Sequence, residues 1–312
     1  MRPPSPPPSS SSRDALLILA QSPEEQERER QERLTAAAMA AKRTIESADY
    51  RPPMLPEVAV RLTQLAARAD ADVATIEKTV ATDPAVAAQV LSRANSAAMS
   101  RGIAVTSLRI AITRLGLADV RDIAFDMVAR TRLFKVAEYS ARMHELLEAA
   151  QLAGQLSREV CRLLRLEPDL AYLCGLLHDL GEAIILSVLA DSARASRSEL
   201  PPAELRDELV ETYHAQIGAK VCERWKLAPA LVDAVAFHHR PERSTHPSQM
   251  ARVVAVADRL LEHVGLGVPQ RPATPMSEPL FYSLNLRQED VAHLLAMAER
   301  LHAERQGQRK PE

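Results

Sequence analysis

The sequence has little of what builds sheets, cross-links or single-sign electrostatic surfaces. Aromatic residues are 3% of its 312 positions, so a core must be assembled from Leu, Val, Ile and Ala. Only nine glycines occur, and with abundant Ala and Leu this favours helices over strands. No stretch alternates apolar and polar residues with the two-residue period of a half-buried strand. Three cysteines, Cys161, Cys174 and Cys222, show no C-x-x-C spacing and sit in apolar stretches. They read as buried thiols of a reducing compartment rather than as a disulfide framework. Neither charge sign dominates, with 39 basic against 41 acidic side chains and a net charge of −2. Nothing therefore points to a nucleic-acid polymer or a membrane surface. No apolar run is expected to span a bilayer, and residues 15–20 are too few for a signal-peptide core and follow an Asp. The expectation is a cytoplasmic protein with no membrane insertion.

What is present is helical patterning of uneven character. Residues 1–12 are almost entirely Pro and Ser and cannot bury a core, which predicts a disordered tail. Residues 13–50 form a charged helical extension, with EEQERERQER at 24–33 placing Glu24 before Arg28 and Glu29 before Arg33 in the favourable i,i+4 order. From residue 51 the helices become short and amphipathic. Val58, Leu62 and Leu65 share a face, and Asp72 is positioned to cap a helix with Val73, Ile76 and Val80. Asp83-Pro84 is a cap followed by a first-turn proline, Asn95-Ser96 is a stop, Ser107 is a cap and Gly116 a C-terminal stop. This half, 51–140, holds no cluster of His, Cys or acid. It reads as a helical recognition module, with Arg93 and Arg101 among the residues expected at its surface.

The chemistry lies in 141–263. Residues 171–189 (AYLCGLLHDLGEAIILSVL) are apolar on nearly every side and read as a buried helix. In its middle sit His178 and Asp179, an imidazole and a carboxylate that are costly to bury without partners. A metal ion would satisfy both; hydrogen bonds at a helix end near Gly181 are the plainer alternative. His144 stands near the start of a long helix. His214 is in phase with Val210, Ile217 and Val221, His238 with Leu231, Ala234 and Val235, and Asp258 with Ala251, Val254, Ala255 and Leu261. His239 adjoins His238. Each alone is most simply a satisfied core position, and Cys174, one turn before His178, is most simply core packing. Together they put metal-competent side chains on separate helices, most of them facing inward, which points to a shared centre for a divalent metal of unspecified identity.

The order His144, His178-Asp179, His214, His238-His239, Asp258 resembles the HD superfamily of all-α metal phosphohydrolases. Leu55-Pro56-Glu57-Val58, Asp83-Pro84, Ala94-Asn95-Ser96, Leu115-Gly116, Gly175-Leu176-Leu177-His178-Asp179-Leu180-Gly181 and His214-Ala215-Gln216-Ile217-Gly218-Ala219 resemble its HDOD branch, a signalling relative of HD-GYP domains. The resemblance implies an all-α domain over 51–263, made of two packed helical halves, with 264–312 as a C-terminal helical tail. It implies those seven residues as metal ligands, with Asp179 the catalytic candidate if the domain is active. At His144 the match needs a helix about a turn longer than usual, and Glu145 is the alternative there. Two departures bear on activity. Active HD-GYP relatives carry a lysine where this chain has Glu182, and Arg240-Pro241-Glu242 follows His238-His239 with no Gly-Tyr-Pro. The resemblance thus implies a bacterial signalling regulator that binds a protein partner and holds metal, with little or no catalysis. The alternative is a metal-dependent phosphohydrolase acting on a cyclic dinucleotide, which would then be a second partner.

Overall fold

The computed structural model describes residues 53–266 apart from 69, 97, 98 and 100–103, residues 279–308, and scattered positions between 22 and 47. The expected tail 1–12, most of the charged extension, Arg101 and the last four residues lie outside the described residues. Every regular element among the described residues is helical, as the all-α expectation requires. The chain divides into two compact units. One is Met1–Tyr50 with Val188–Leu209, and the other is Arg51–Ser187 with Val210–Glu312. The second unit contains all the chemistry.

Its first helices follow the capping and phase signals of the sequence. Helix α1 (Glu57–Ala66) buries Val58, Ala59, Leu62 and Leu65. The Asp72 side chain caps α2 (Val73–Ala81) by accepting from the Thr75 amide at 2.8 Å. Asp83 accepts from the Ala85 and Val86 amides at the start of α3 (Pro84–Ala94), where Pro84 takes the first position. Asn95 ends α3 with more than a stop. Its amide donates to Leu91 O and Val105 O, and its Oδ1 accepts from Val105 N at 2.7 Å. One side chain thus clamps the chain that leads into α4 (Leu108–Leu115). Ser107 precedes α4 as expected but makes no capping hydrogen bond. Gly116, at φ +83°, ends α4 and starts α5 (Leu117–Val128) in one residue. That backbone conformation explains why a glycine stands there.

Helix α6 (Ser140–Leu164) is the long strut of the unit. It packs against α7 (Ala171–Leu177), α11 (Met250–His263) and α13 (Gln288–Gln308), the last preceded by the short α12 (Pro279–Ser283). Helix α5 touches both α1 and α7, so the two halves meet through it. The Trp225 indole N–H donates to Pro53 O at 3.0 Å, closing the start of the domain onto the end of α9 (Ala203–Arg224). The expected continuous helix over 171–189 is two helices. Helix α7 stops at Leu177 and α8 (Leu180–Ser196) begins after a turn at His178-Asp179. Taken through that turn, Ala171–Ser196 is long and apolar enough to cross a membrane by length and composition, contrary to the sequence expectation. However, 94% of its most apolar window is buried inside the protein, as befits a core element.

Glycines set the closest helix approaches. A Cβ on Gly175 would lie 2.5 Å from the Ala153 carbonyl, so α7 rides directly on the backbone of α6. A Cβ on Gly181 would lie 1.8 Å from His214 O and 2.8 Å from Gly218 N. Backbone contact at Gly181 therefore holds α8 against α9 where the candidate site residues stand.

Candidate metal centre

The break between α7 and α8 points both His178 and Asp179 into the core. His214 arrives from the middle of α9, His238 and His239 from the end of α10 (Pro229–Phe237), and Asp258 from α11. His178 Nε2 lies 3.2 Å from Asp179 Oδ2 and 3.6 Å from Asp258 Oδ1. Asp179 Oδ1 faces His214 Nε2 at 3.5 Å and His238 Nε2 at 3.4 Å. His214 Nε2 is 3.3 Å from His238 Nε2 and 2.8 Å from His239 Nε2, while His239 Nδ1 is 3.7 Å from Asp258 Oδ2. Two donor sets result. Asp179, His214, His238 and His239 form one, and His178, Asp179 and Asp258 the other. Asp179 belongs to both, with one carboxylate oxygen toward each.

The backbone fixes which ring nitrogens face inward. His178 Nδ1 is 2.7 Å from Gly175 O, His214 Nδ1 2.6 Å from Val210 O, and His238 Nδ1 2.8 Å from Val235 O. A carbonyl only accepts, so each Nδ1 carries the hydrogen and donates it. In the neutral rings Nε2 then holds a lone pair aimed at the cluster, an arrangement that orients metal-binding histidines. Lone pairs of His214 and His238 facing each other at 3.3 Å repel unless something electrophilic lies between. His178 Nε2 and Asp179 Oδ1 are buried with no hydrogen-bond partner, a costly state for polar atoms. A cation removes both difficulties, so the residues fit a divalent metal.

Charge balance points the same way. Burial acts to lower the His178 pKa, but Asp179 and Asp258 override it and hold the ring well above its ordinary value. Burial acts to raise Asp179, yet His178 holds it well below the usual carboxylate range. Asp258 is likewise brought down to about 2, chiefly by His178 against the effect of burial. Burial holds His214 below its usual value, and burial together with His238 brings His239 down to about 2. The two carboxylates thus demand one positive charge at His178 Nε2, as a proton or as a metal ion.

His144 does not join the cluster. It is exposed, with Nδ1 2.8 Å from Ser140 O. Met143, Leu146 and Ala150 carry the buried face of α6, and His144, one residue on, is turned about 100° away from Met143. Glu145 is also exposed. The α6 residue that reaches the site is Arg142, which nothing in the sequence signalled. Its Nε and Nη2 lie 2.6 and 3.0 Å from the two carboxylate oxygens of Glu182, forty residues away. Glu182 is 3% exposed. Cys174 is in neither donor set and stays a buried thiol whose pKa burial pushes up. Beside His238, His239 and Asp258 opens a cleft of about 320 Å³ that Arg252 and Glu242 also line.

The sequence model of the HDOD domain matches residues 53–241. The chain belongs to the HDOD domain family. Crystal structures similar to this HDOD chain include an HDOD domain protein of unknown function from Geobacter sulfurreducens, with a TM-score of 0.65 and 20% identity over 87% of this chain and 96% of that one. A second, named "Putative metal-dependent phosphohydrolase", is from Shewanella amazonensis SB2B, with a TM-score of 0.59 and 21% identity over 85% and 98%. At these identities the likeness is one of fold. Among curated sequences, an uncharacterized protein of Treponema pallidum (strain Nichols) is 23% identical over 246 residues, which are 76% of this chain and 47% of that relative. Ribonuclease Y of Bacillus subtilis (strain 168) is 32% identical over 114 residues, 36% of this chain and 16% of the enzyme. The chain thus spans less than half the length of these curated relatives. Asp258 and helix α13 lie beyond the matched HDOD segment.

Proposed function

We propose that this HDOD chain is a signal-transduction regulator that acts by binding a protein partner, with its His/Asp cluster holding divalent metal in a mainly structural role. The observation that carries this reading is the Arg142–Glu182 pair. A phosphodiesterase needs cationic groups where phosphate charge develops. Here a buried carboxylate stands three residues from Asp179 and engages the α6 arginine in a bidentate pair. His178, Asp179, His214, His238, His239 and Asp258 would hold the metal. Such an ion, when bound, polarises water and lowers its pKa. Partner binding is assigned to the 51–140 half, where Ile110 is 54% exposed on α4 and Met54 is 83% exposed. Arg93 is exposed on the same half.

A second reading, a metal-dependent phosphohydrolase, draws on the 320 Å³ cleft that reaches His238, His239 and Asp258 with Arg252 in its wall. Metal analysis of the purified protein together with a cyclic dinucleotide hydrolysis assay separates the two. The regulatory reading expects bound metal with slow or absent hydrolysis, and loss of signalling in cells for Ile110→Asp. Multiple turnovers per minute that disappear in Asp179→Ala would overturn it in favour of the enzyme.

A further inference from the structure

A second cavity, of about 650 Å³, lies among α3, α5, α6, α7 and α13, and no residue of the two metal-donor sets lines it. Its size is that of a small-molecule site, but its wall is unusually charged, with four arginines and three aspartates. The hydrogen-bond bookkeeping of this wall is one-sided. Asp119 accepts from Arg158 Nη1 at 2.9 Å. Asp122, 4% exposed, accepts from the Arg121 Nε at 3.0 Å and from Arg158. Asp126 accepts from Arg130 Nε at 2.8 Å, from Gln151 Nε2 at 2.5 Å and from the Tyr172 hydroxyl at 3.4 Å. Gln151 Oε1 accepts from Arg305 Nη1 at 2.5 Å. The carboxylates of Asp122 and Asp126 are therefore taken on both oxygens, and Asp119 on one.

Donors are left over. Arg130 uses only its Nε and Arg305 only one Nη. The Arg93 guanidinium makes no hydrogen bond or ion pair among the described residues. We propose that this cleft is a binding site for an oligophosphate, whose oxygens take the spare guanidinium N–H groups of Arg93, Arg130 and Arg305. Guanidinium forks suit phosphate oxygens, and three of them around one cavity suit more than one anionic centre. A metal ion suits the wall less well, because its spare charged groups are mostly guanidinium donors. Burial first, and then the neighbouring Arg130 charge, act to hold Arg305 below its ordinary pKa, a like-charge opposition that an anion between them relieves. Arg305 stands on α13, beyond the HDOD segment, so this site draws on both the domain and its C-terminal helix.

The test is isothermal titration calorimetry of the full chain with inorganic pyrophosphate and, separately, with guanosine triphosphate. Saturable binding of at least one is expected, weakened about tenfold or more in Arg130→Gln and in Arg305→Gln and retained in Asp179→Ala. Pyrophosphate binding as tightly as the nucleotide would assign the site to the phosphates alone. A nucleotide preference of about tenfold would assign it to a phosphorylated nucleoside. Arg130 is exposed and on the surface of the cleft, so its variant should keep the parent melting temperature and leave the binding result readable if Arg305→Gln misfolds. No saturable heat with either probe at millimolar concentration would overturn the proposal. So would binding that Arg130→Gln keeps and Asp179→Ala loses, or binding of an acidic peptide in place of both phosphates.

Discussion

At the residue scale the cluster makes discriminating predictions. His178 and His144 were both candidate ligands in the sequence, His144 with Glu145 as its alternative, and the structure places the two histidines oppositely, one 1% exposed and one on the surface. His178→Ala should lower the metal content, measured by metal analysis, by disabling the donor set of His178, Asp179 and Asp258, while His144→Ala should leave the content unchanged. Equal loss in both would mean that α6 is rotated from the orientation described. Arg142→Ala removes the cation from a buried carboxylate, which costs about 3–5 kcal/mol when nothing compensates. Glu182→Gln retains polar contact with Arg142 and should cost less, so denaturant midpoints of the two variants should rank in that order. Much of this site was legible at single positions. His214, His238 and Asp258 each fell on an apolar helical face, and a polar side chain on such a face must have a partner. His144 was not legible, because one residue of phase separates it from Met143 and no sequence pattern fixed the rotation of α6. The Arg142–Glu182 pair was invisible for another reason, since forty residues of chain separate two charges that only tertiary packing brings together.

At the scale of elements, the turn at His178-Asp179 is the feature the sequence concealed. Apolar residues run through 171–189 without a Pro, so periodicity alone reads one helix, although Asp179 with Glu182 three residues on is a cap signal within it. The turn matters because it lets two adjacent side chains face one cluster, whereas neighbours on a straight helix diverge by about 100°. The glycines around it were visible as a motif but their purpose was not. Gly181 stands where any Cβ would meet His214 O at 1.8 Å, a backbone obstacle that cannot swing aside. Gly181→Ala should therefore separate α8 from α9, cost about 1–3 kcal/mol or more, and lower metal content although it alters no ligand. A stable variant with full metal content would show that the two helices can part without disturbing His214. The capping residues Asp72 and Asp83 were legible because an N-cap is a local interaction. Ser107 had the same local signature and makes no such bond.

At the scale of the molecule, the cluster ties the stability of the HDOD unit to metal and to protons together. Metal that binds only the folded state stabilises it by mass action. A chelator should lower the melting temperature of the parent, and Asp179→Ala should abolish that response. An unchanged melting temperature would mean that the cluster is a hydrogen-bonded core. The metal-stripped protein then has a pH profile that follows from its histidines. His214 and His239 are held neutral in the fold, with pKa values below that of a free imidazole. Below about pH 6.5 the unfolded chain takes up two protons that the folded chain refuses. Stability must therefore fall as pH drops, by up to about 1.4 kcal/mol per group per pH unit. His178 works in the other direction, because its folded pKa is raised. Its contribution is complete below about pH 6.5 and is lost as pH rises through the folded value. Metal-free protein should thus be most stable near the ordinary histidine pKa and weaken on both sides. Metal takes the place of the His178 proton, and ligands bind it only when deprotonated. Loading should remove the alkaline decline and move the optimum upward, which melting curves across pH with and without chelator would record. A chelated protein that keeps gaining stability above neutral pH would show that His178 is neutral in the fold, and that the two carboxylates draw their positive charge from elsewhere.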